Sequence, residues 1–217
     1  MDPTAISRLL EPFLIQPLSP VQLNNISTYI DILLRWNSRI NLTAIRDPEE
    51  IVTRHFGESL FCARHLALSA RSPHERPTVI DLGSGSGFPG LPIKIFSPKI
   101  SLTLIESNQK KVAFLREVIR SLSLEDATAF LGRAEDFIPR SPDNIVTLRA
   151  VERFSTILPT ALRLAGPQGS LALLIGEDQI QSALELSPGA HWGYPIPIPL
   201  SQHRVILVGM AESGKIY

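Results

Sequence analysis

"DLGSGSGFPG", residues 81–90, holds four glycines and decides the fold. The apolar run TVI stands directly before it, so the stretch begins as a buried strand and ends in a glycine-rich turn. A strand that runs into glycines and then into a helix forms a ligand crevice at the carboxyl end of a parallel sheet. Glycine also lets the backbone turn sharply and come close to a ligand. The stretch therefore predicts a nucleoside-binding loop in an α/β protein.

The loop can be read in two ways. From Gly83 it reads G-x-G-x-G through Gly85 and Gly87, which is typical of a methyl-donor site, and from Gly85 it reads G-x-G-x-x-G, the pattern of dinucleotide binding. Asp81 favours the first, because a carboxylate repels a pyrophosphate but suits the ammonium and sulfonium groups of S-adenosylmethionine. Glu106, which ends the next predicted strand 19 residues beyond Gly87, can accept hydrogen bonds from both ribose hydroxyls. Both cofactors contain that ribose, so Glu106 indicates a nucleoside without separating the two.

Apolar strands alternate with helices after the loop. Strands are predicted at TVIDLG, KISLTLIES, ATAFLG, NIVTLRAV, SLALLIG and RVILVG, and helices at 109–124 and 154–165. This alternation predicts a mostly parallel sheet covered on both faces. The proline-rich stretch before the last strand has no helical pattern, so an antiparallel edge strand or a terminal strand pair is expected there. We assign residues 77–217 to this α/β body.

Residues 1–76 are predicted to form a helical cap. Apolar residues recur at helical spacing over 20–42, with Ser19 at the start. A second helix is expected from Asp47 as N-cap, with Pro48 first and Glu50 as return partner of a capping box. Its inward face is formed by Ile51, Val52, Phe56, Leu60 and Phe61. Residues 69–77 read as a loop.

The composition bounds the class of protein. With 217 residues, 44% of them apolar and 19% charged, one compact globular unit is expected. Lys plus Arg and Asp plus Glu number 21 each, so any nucleic-acid binding must come from local patches. The single cysteine, Cys62, excludes an internal disulfide, and no apolar run approaches the about 20 residues that span a bilayer. We expect a cytoplasmic monomer without membrane contact. Its five scattered histidines show no zinc spacing, so no metal is expected.

A longer set of motifs resembles one family. W-N-x-x-x-N-L-T-x-I followed by D-P and R-H, then "VIDLGSGSGFPGLPI", "LIESNQKKVAFL" and "GRAEDF", is similar to the RsmG family, also called glucose-inhibited division protein B, from about residue 30 to the last strand. The resemblance implies a Rossmann-like class I methyltransferase that uses S-adenosylmethionine to methylate N7 of one guanine in 16S ribosomal RNA of the small subunit. It implies cofactor contacts at Gly83, Phe88, Ala134, Glu135 and Arg149, with Arg149 also positioning the reactants.

Several positions depart from the family pattern. Leu148 stands where a serine is usual before Arg149, Ile175 where a lysine is usual, and His203 where the last strand usually opens with an arginine. The cofactor half therefore matches better than the half expected to contact RNA. RNA contacts are predicted at His55, Lys110, Arg133, His203 and Arg204. For Lys110, in the first turn of its helix, a solvated side chain and a phosphate contact beside the cofactor both stay open. For His55 a packed, hydrogen-bonded side chain is the first interpretation and an RNA contact the second.

Two other functions stay open from the residues. The G-x-G-x-x-G reading gives an NAD-dependent oxidoreductase, although no catalytic acid or base is obvious for it. The second open function is that of a non-catalytic RNA-binding protein with a vestigial cofactor pocket, since Ile175 replaces the usual lysine.

Methyl transfer to guanine N7 needs no general base, because N7 has a free lone pair and no proton. Alignment of the reactants is the main requirement.

Overall fold

The computed structural model describes residues 1–66, 68, 76–149 and 154–211. An eight-stranded sheet forms its centre, with the order β3-β2-β1-β4-β5-β8-β6 and with β7 also paired to β8. The strands are β1 Thr78–Leu82, β2 Ser101–Glu106, β3 Ala127–Leu131, β4 Ile145–Arg149, β5 Ser170–Gly176, β6 Ala190–Trp192, β7 Ile196–Pro197 and β8 Arg204–Ala211. Strands β1 to β5 are parallel, and β8 is antiparallel to β5, β6 and β7. The predicted parallel sheet with an antiparallel margin is confirmed.

Helices surround the sheet and precede it. They are α1 Pro3–Leu10, α2 Pro20–Asn37, α3 Pro48–Glu50, α4 Glu58–Arg64, α5 Gly90–Phe96, α6 Gln109–Ser121, α7 Phe154–Ala165 and α8 Ile180–Leu186, with a π-helix at Ile51–Gly57. The predicted helices at 109–124 and 154–165 correspond to α6 and α7. Helix α1, helix α8 and the short strand β6 were not predicted. No helix among these is long and apolar enough to cross a membrane.

Both faces of the sheet are covered, as the apolar runs predict. Val79 belongs to one hydrophobic cluster with residues of α1, α2, α4, α5 and α6, while its neighbour Ile80 belongs to a second cluster with residues of α7 and α8. Successive residues of a strand point to opposite faces, so a run buried on both sides is apolar throughout. The first cluster joins the N-terminal helices directly to the sheet. The cap is therefore packed as part of the core.

The first long helix is shorter than predicted. Ser19 and Gln22 form a capping box at its start, but α2 ends at Asn37 instead of residue 42. The Asn37 carboxamide accepts hydrogen bonds from the backbone N–H groups of Leu42 (2.9 Å) and Thr43 (3.1 Å) and donates to the Thr43 carbonyl (2.9 Å). This side chain holds the chain in a turn that competes with helix continuation.

The second predicted helix has the expected N-cap but not the predicted return hydrogen bond to the Glu50 side chain, and it then changes its winding. The Asp47 carboxylate accepts from the Glu50 N–H at 2.8 Å, which confirms the N-cap. Residues 51–57 then form a π-helix before α4 begins at Glu58. A side chain at Gly57 would approach the Phe13 ring to 2.6 Å, so glycine permits the close packing of this segment on the first helices. The predicted inward residues are buried: Ile51, Val52, Phe56, Leu60 and Phe61. Of the predicted loop at 69–77, only 76 and 77 lie within the described residues.

Candidate active site

The glycine loop leaves β1 with three backbones in the left-handed region. The φ angles are +63° at Gly83, +57° at Gly85 and +86° at Gly87, a conformation that favours glycine. A Cβ on Gly87 would lie 2.5 Å from Leu91 Cδ1 and would also clash with the Tyr29 hydroxyl, so the surrounding side chains leave no room for a side chain at this position. A Cβ on Gly83 would meet no atom within 4 Å. Gly83 therefore borders open space at the carboxyl edge of the sheet.

Glu106 is fixed against this loop. Its Oε2 accepts the Gly85 N–H at 3.0 Å and its Oε1 accepts the Asn108 N–H at 2.8 Å, while the residue is only 7% exposed. Each carboxylate oxygen has further lone pairs beyond the one already used. The carboxylate is therefore preorganised next to the glycine loop and keeps acceptor capacity for a diol such as a ribose. Glu106 ends β2, as its spacing from the glycine loop predicts.

Asp81 lies below the loop instead of on its surface. It is 1% exposed, and the Thr147 hydroxyl on the adjacent strand donates to its Oδ1 at 2.7 Å. Its Oδ2 has no hydrogen-bond partner among the described residues. Burial raises the pKa of the Asp81 carboxyl to about 6, against the opposing effect of the Thr147 hydrogen bond. Gly90, at the start of α5, packs against this side chain, since a Cβ there would lie 2.9 Å from Asp81 Cβ.

The Phe88 ring lies in an aromatic stack between the cap and the loop. Tyr29 stacks on it at 5.3 Å between ring centroids and His55 at 4.7 Å. His55 Nε2 also forms a 2.8 Å hydrogen bond with the Thr43 hydroxyl. Burial, and then the charges of Arg149 and Arg54, lower the pKa of His55 to about 3, so its imidazole is neutral. The packed interpretation of His55 is confirmed. A ligand contact by Phe88 stays a prediction.

The segment after β3 forms a single 3₁₀ turn over Ala134–Asp136. Ala134 is buried and Glu135 is exposed. Arg163 of α7 donates to the Ala134 carbonyl at 3.0 Å and to the Glu135 carbonyl at 3.2 Å, which fixes the turn at the carboxyl edge. Arg133, directly before the turn, is exposed.

A second group of side chains meets beside the loop, around Glu58. The Glu58 carboxylate is only 1% exposed. Its Oε2 accepts a hydrogen bond from Arg149 Nη2 at 3.1 Å. Its Oε1 lies 3.0 Å from Arg204 Nε and 3.2 Å from Arg54 Nε. Arg149 Nη2 also donates to the Arg54 carbonyl at 2.7 Å. Burial lowers the pKa of Arg149, although Glu58 opposes this effect. An arginine nevertheless stays charged at neutral pH. Sequence reasoning missed Arg54 and Glu58 as members of this group, although Arg54 belongs to the R-H pair of the quoted motif.

Three of the predicted RNA contacts, Lys110, Arg133 and His203, are exposed side chains, and in the described part of the chain no hydrogen bond or ion pair links any two of them. Lys110 lies in the first turn of α6, where the Asn108 side chain accepts its backbone N–H at 2.9 Å. Arg204, not His203, points to the Glu58 group. The departures Leu148 and Ile175 are both buried in the apolar core.

A family model described as rRNA small subunit methyltransferase G (GidB) matches residues 22–188. The chain belongs to this family. A protein of Bacillus pumilus named ribosomal RNA small subunit methyltransferase G is 37% identical over 161 residues, covering 72% of this chain and 65% of the relative. A protein of the same name from Roseiflexus castenholzii is 42% identical over 213 residues, covering 90% of this chain and 87% of the relative. The chain thus spans slightly less than two thirds of the length of the Bacillus relative.

Solved structures agree with the fold. A structure described as a SAM dependent methyltransferase from Aquifex aeolicus superposes with a TM-score of 0.56 at 19% identity, covering 76% of this chain and 94% of that one. This similarity supports the class I Rossmann-like fold. For a member of the methyltransferase G family, the glycine loop and Glu106 lie where this fold binds ligands, at the carboxyl edge of the sheet. Within the described residues, no group of three or more His, Cys, Asp or Glu side chains is placed to hold a metal ion.

Proposed function

We propose that the protein transfers a methyl group from S-adenosylmethionine to N7 of a guanine in 16S ribosomal RNA. One observation carries the proposal: Glu106 is anchored by two backbone N–H groups beside Gly83, whose outer side faces open space. A carboxylate so placed suits the two ribose hydroxyls of a nucleoside cofactor, while the open side of Gly83 leaves room for its methionine part. The names of the family and of both relatives support methyl transfer to RNA of the small subunit, and the Aquifex neighbour that shares the fold is described as SAM dependent.

When bound, S-adenosylmethionine supplies a methyl group on a positively charged sulfur. The residues of the chain bind and align the reactants. Glu106 accepts from the ribose, Ala134 and Glu135 border the adenine, and Phe88 closes the loop on the cap side. Guanine N7 has no proton to lose, so no side chain is required as a base. Arg149, at the end of β4, is assigned the positioning of the reactants.

The cap is part of this proposal. It supplies Arg54, His55 and Glu58 to the edge of the site, so we assign residues 1–76 and 77–217 to one working unit. His55 is neutral because its pKa lies at about 3. It therefore adds no positive charge beside a guanine on which positive charge develops. We also propose that the protein works as a monomer in the cytoplasm on RNA of the small ribosomal subunit.

The proposal is tested by transfer of a labelled methyl group to ribosomal RNA. Wild-type protein and Gly83→Ala are each incubated with naked 16S RNA and with assembled small subunits. We expect label in RNA with the wild-type protein on at least one substrate, and loss of label with Gly83→Ala. Calorimetry with S-adenosylhomocysteine and NADH accompanies it. Binding of NADH without binding of S-adenosylhomocysteine would overturn the proposal in favour of an oxidoreductase.

A further inference from the structure

Three arginines share one carboxylate at the edge of the site. Glu58 contacts the guanidinium groups of Arg54, Arg149 and Arg204. Three guanidinium charges meet the one carboxylate of Glu58, and the buried Asp81 carboxylate also acts on Arg149, so the group keeps an excess of positive charge. Glu50 lies 3.9 Å from Arg54, but both side chains are substantially exposed and such a surface pair contributes little. The group is therefore short of negative charge.

The group is also short of hydrogen-bond acceptors. Arg149 Nη1 is buried and has no hydrogen-bond partner among the described residues, and the buried Arg54 Nε has only its 3.2 Å ion-pair contact with Glu58. Both oxygens of Glu58 are already engaged. Buried donors are ordinarily paired, so unpaired ones at a site call for an explanation. An anion that brings several acceptor oxygens would supply what the protein lacks here.

The group is open to solvent on one side. The side chain of Arg54 is 39% exposed and that of Arg204 is 29% exposed, whereas that of Arg149 is 12% exposed. Arg54 projects from the π-helix, a rare winding that is frequent at functional sites. Arg204 opens β8 opposite Gly176, and Arg149 ends β4, at the same edge as the glycine loop. Arg54 and Arg204 therefore form a solvent-facing rim, and Arg149 is the more buried member of the group.

We propose that Arg54, Arg149 and Arg204 form a binding site for a phosphodiester of the substrate RNA. The inference rests on the proposed function, since it requires an RNA strand at this edge. Arginine binds phosphate oxygens through paired N–H groups. A guanine base that gains positive charge at N7, or a sulfonium, is repelled by an excess of positive charge, whereas a phosphodiester is attracted.

The carboxylate of the cofactor is the competing ligand for these arginines. Strand β8 lies three positions from β1 in the sheet. Adjacent strands are about 4.8 Å apart, so β8 begins about 14 Å from the end of the glycine strand. Arg149, however, lies on β4, the direct neighbour of β1, and its guanidinium shares Glu58 with that of Arg204. The cofactor carboxylate is therefore one outcome of the test below, which measures cofactor affinity beside RNA binding.

Arg54→Gln is the variant that tests the site. Glu58 keeps Arg149 and Arg204 as partners in this variant, so its carboxylate is not left unpaired. Arg120→Gln is the matched control. It removes the same charge at an exposed position, in the last turn of α6 at the opposite edge of the sheet. Methyl transfer is measured over a series of KCl concentrations on whichever substrate, naked 16S RNA or small subunits, the wild-type protein methylates faster. Affinity for S-adenosylhomocysteine is measured in parallel.

We expect Arg54→Gln to raise KM for RNA about tenfold, the effect of losing one charge-assisted hydrogen bond. The slope of log kcat/KM against log [KCl] should become less steep by about 0.7, as for one lost phosphate contact on a single strand. Affinity for S-adenosylhomocysteine should not change. Arg120→Gln should match wild type in KM for RNA, in the salt slope and in this affinity.

An unchanged salt slope overturns the phosphate site. So does a loss of S-adenosylhomocysteine affinity as large as the rise in KM, which assigns the arginines to the cofactor carboxylate. Absence of methyl transfer by the wild-type protein instead refutes the proposed function.

Discussion

The buried carboxyl of Asp81 makes the stability of the fold depend on pH in a way that one substitution isolates. Burial raises the pKa of this carboxyl from 3.8 to about 6. One pKa unit corresponds to about 1.4 kcal/mol, so the ionised carboxylate costs the folded state about 3 kcal/mol near neutral pH. Groups held at such a cost concentrate at functional sites.

The sign follows from where the proton is bound. Between pH 3.8 and about 6 the unfolded chain has lost a proton that the folded protein keeps, so the free energy of unfolding falls as pH rises through this range. Asp81→Asn has no proton to lose. Its free energy of unfolding should equal that of wild type near pH 4 to within about 1 kcal/mol, and exceed it by about 3 kcal/mol near pH 8.

The free energy of unfolding of the wild-type protein and of Asp81→Asn is measured near pH 4 and near pH 8 by urea denaturation, followed by tryptophan fluorescence. Thr147→Val is the companion variant, because it removes the hydrogen bond to Oδ1 that opposes the raised pKa. It should lose more stability near pH 8 than near pH 4. The reasoning is refuted if Asp81→Asn differs from wild type by the same amount at both pH values, or if it is the less stable protein near pH 8.

Further predictions concern the loop, its acidic partner and the strand-end arginine. Gly83→Ala should cost about 1–2 kcal/mol of stability, from the left-handed backbone alone, yet abolish calorimetric binding of S-adenosylhomocysteine. Gly87→Ala should cost about 2–4 kcal/mol, because its Cβ also clashes with Leu91. Equal losses of stability would contradict the assignment of Gly83 to the ligand side. Glu106→Gln should weaken binding of S-adenosylhomocysteine about 10–100-fold, and unchanged affinity would reject its ribose contact. Arg149→Gln should lower kcat at least about tenfold with a small change in Tm, since Glu58 keeps two arginines; a wild-type kcat removes Arg149 from the site.

The sheet was predictable because its signal is local. A strand buried on both faces is apolar nearly throughout, and β2, β1, β4 and β5 come close to that condition, whereas the edge strand β3 is partly exposed. The end of α2 was not predictable from periodicity, because the Asn37 side chain ends the helix by hydrogen bonding to a turn several residues ahead. The π-helix was not predictable either. Its winding occurs in a segment packed tightly on the first helices, where Gly57 meets the Phe13 ring.

The site was predictable where chain spacing decides it. Glu106 follows the glycine loop by one helix and one strand, so its place at the sheet edge is fixed by the fold. The partner of Arg149 was not, because Glu58 lies 91 residues away in the chain. The role of Asp81 was also misjudged in part: its charge was expected at the ligand surface, but the side chain is buried against Thr147. A buried Asp81 repels a pyrophosphate less than an exposed carboxylate would, and it is membership of the family that supports a methyl donor at this loop.

The most direct test of the central claim is identification of the modified base. RNA treated with the protein and labelled S-adenosylmethionine is digested to nucleosides and separated by mass spectrometry. We predict label in 7-methylguanosine, present with the wild-type protein and absent with Gly83→Ala. Label in any other nucleoside, or in none while S-adenosylhomocysteine binds with full affinity, would contradict the assignment of this site to methylation of guanine N7.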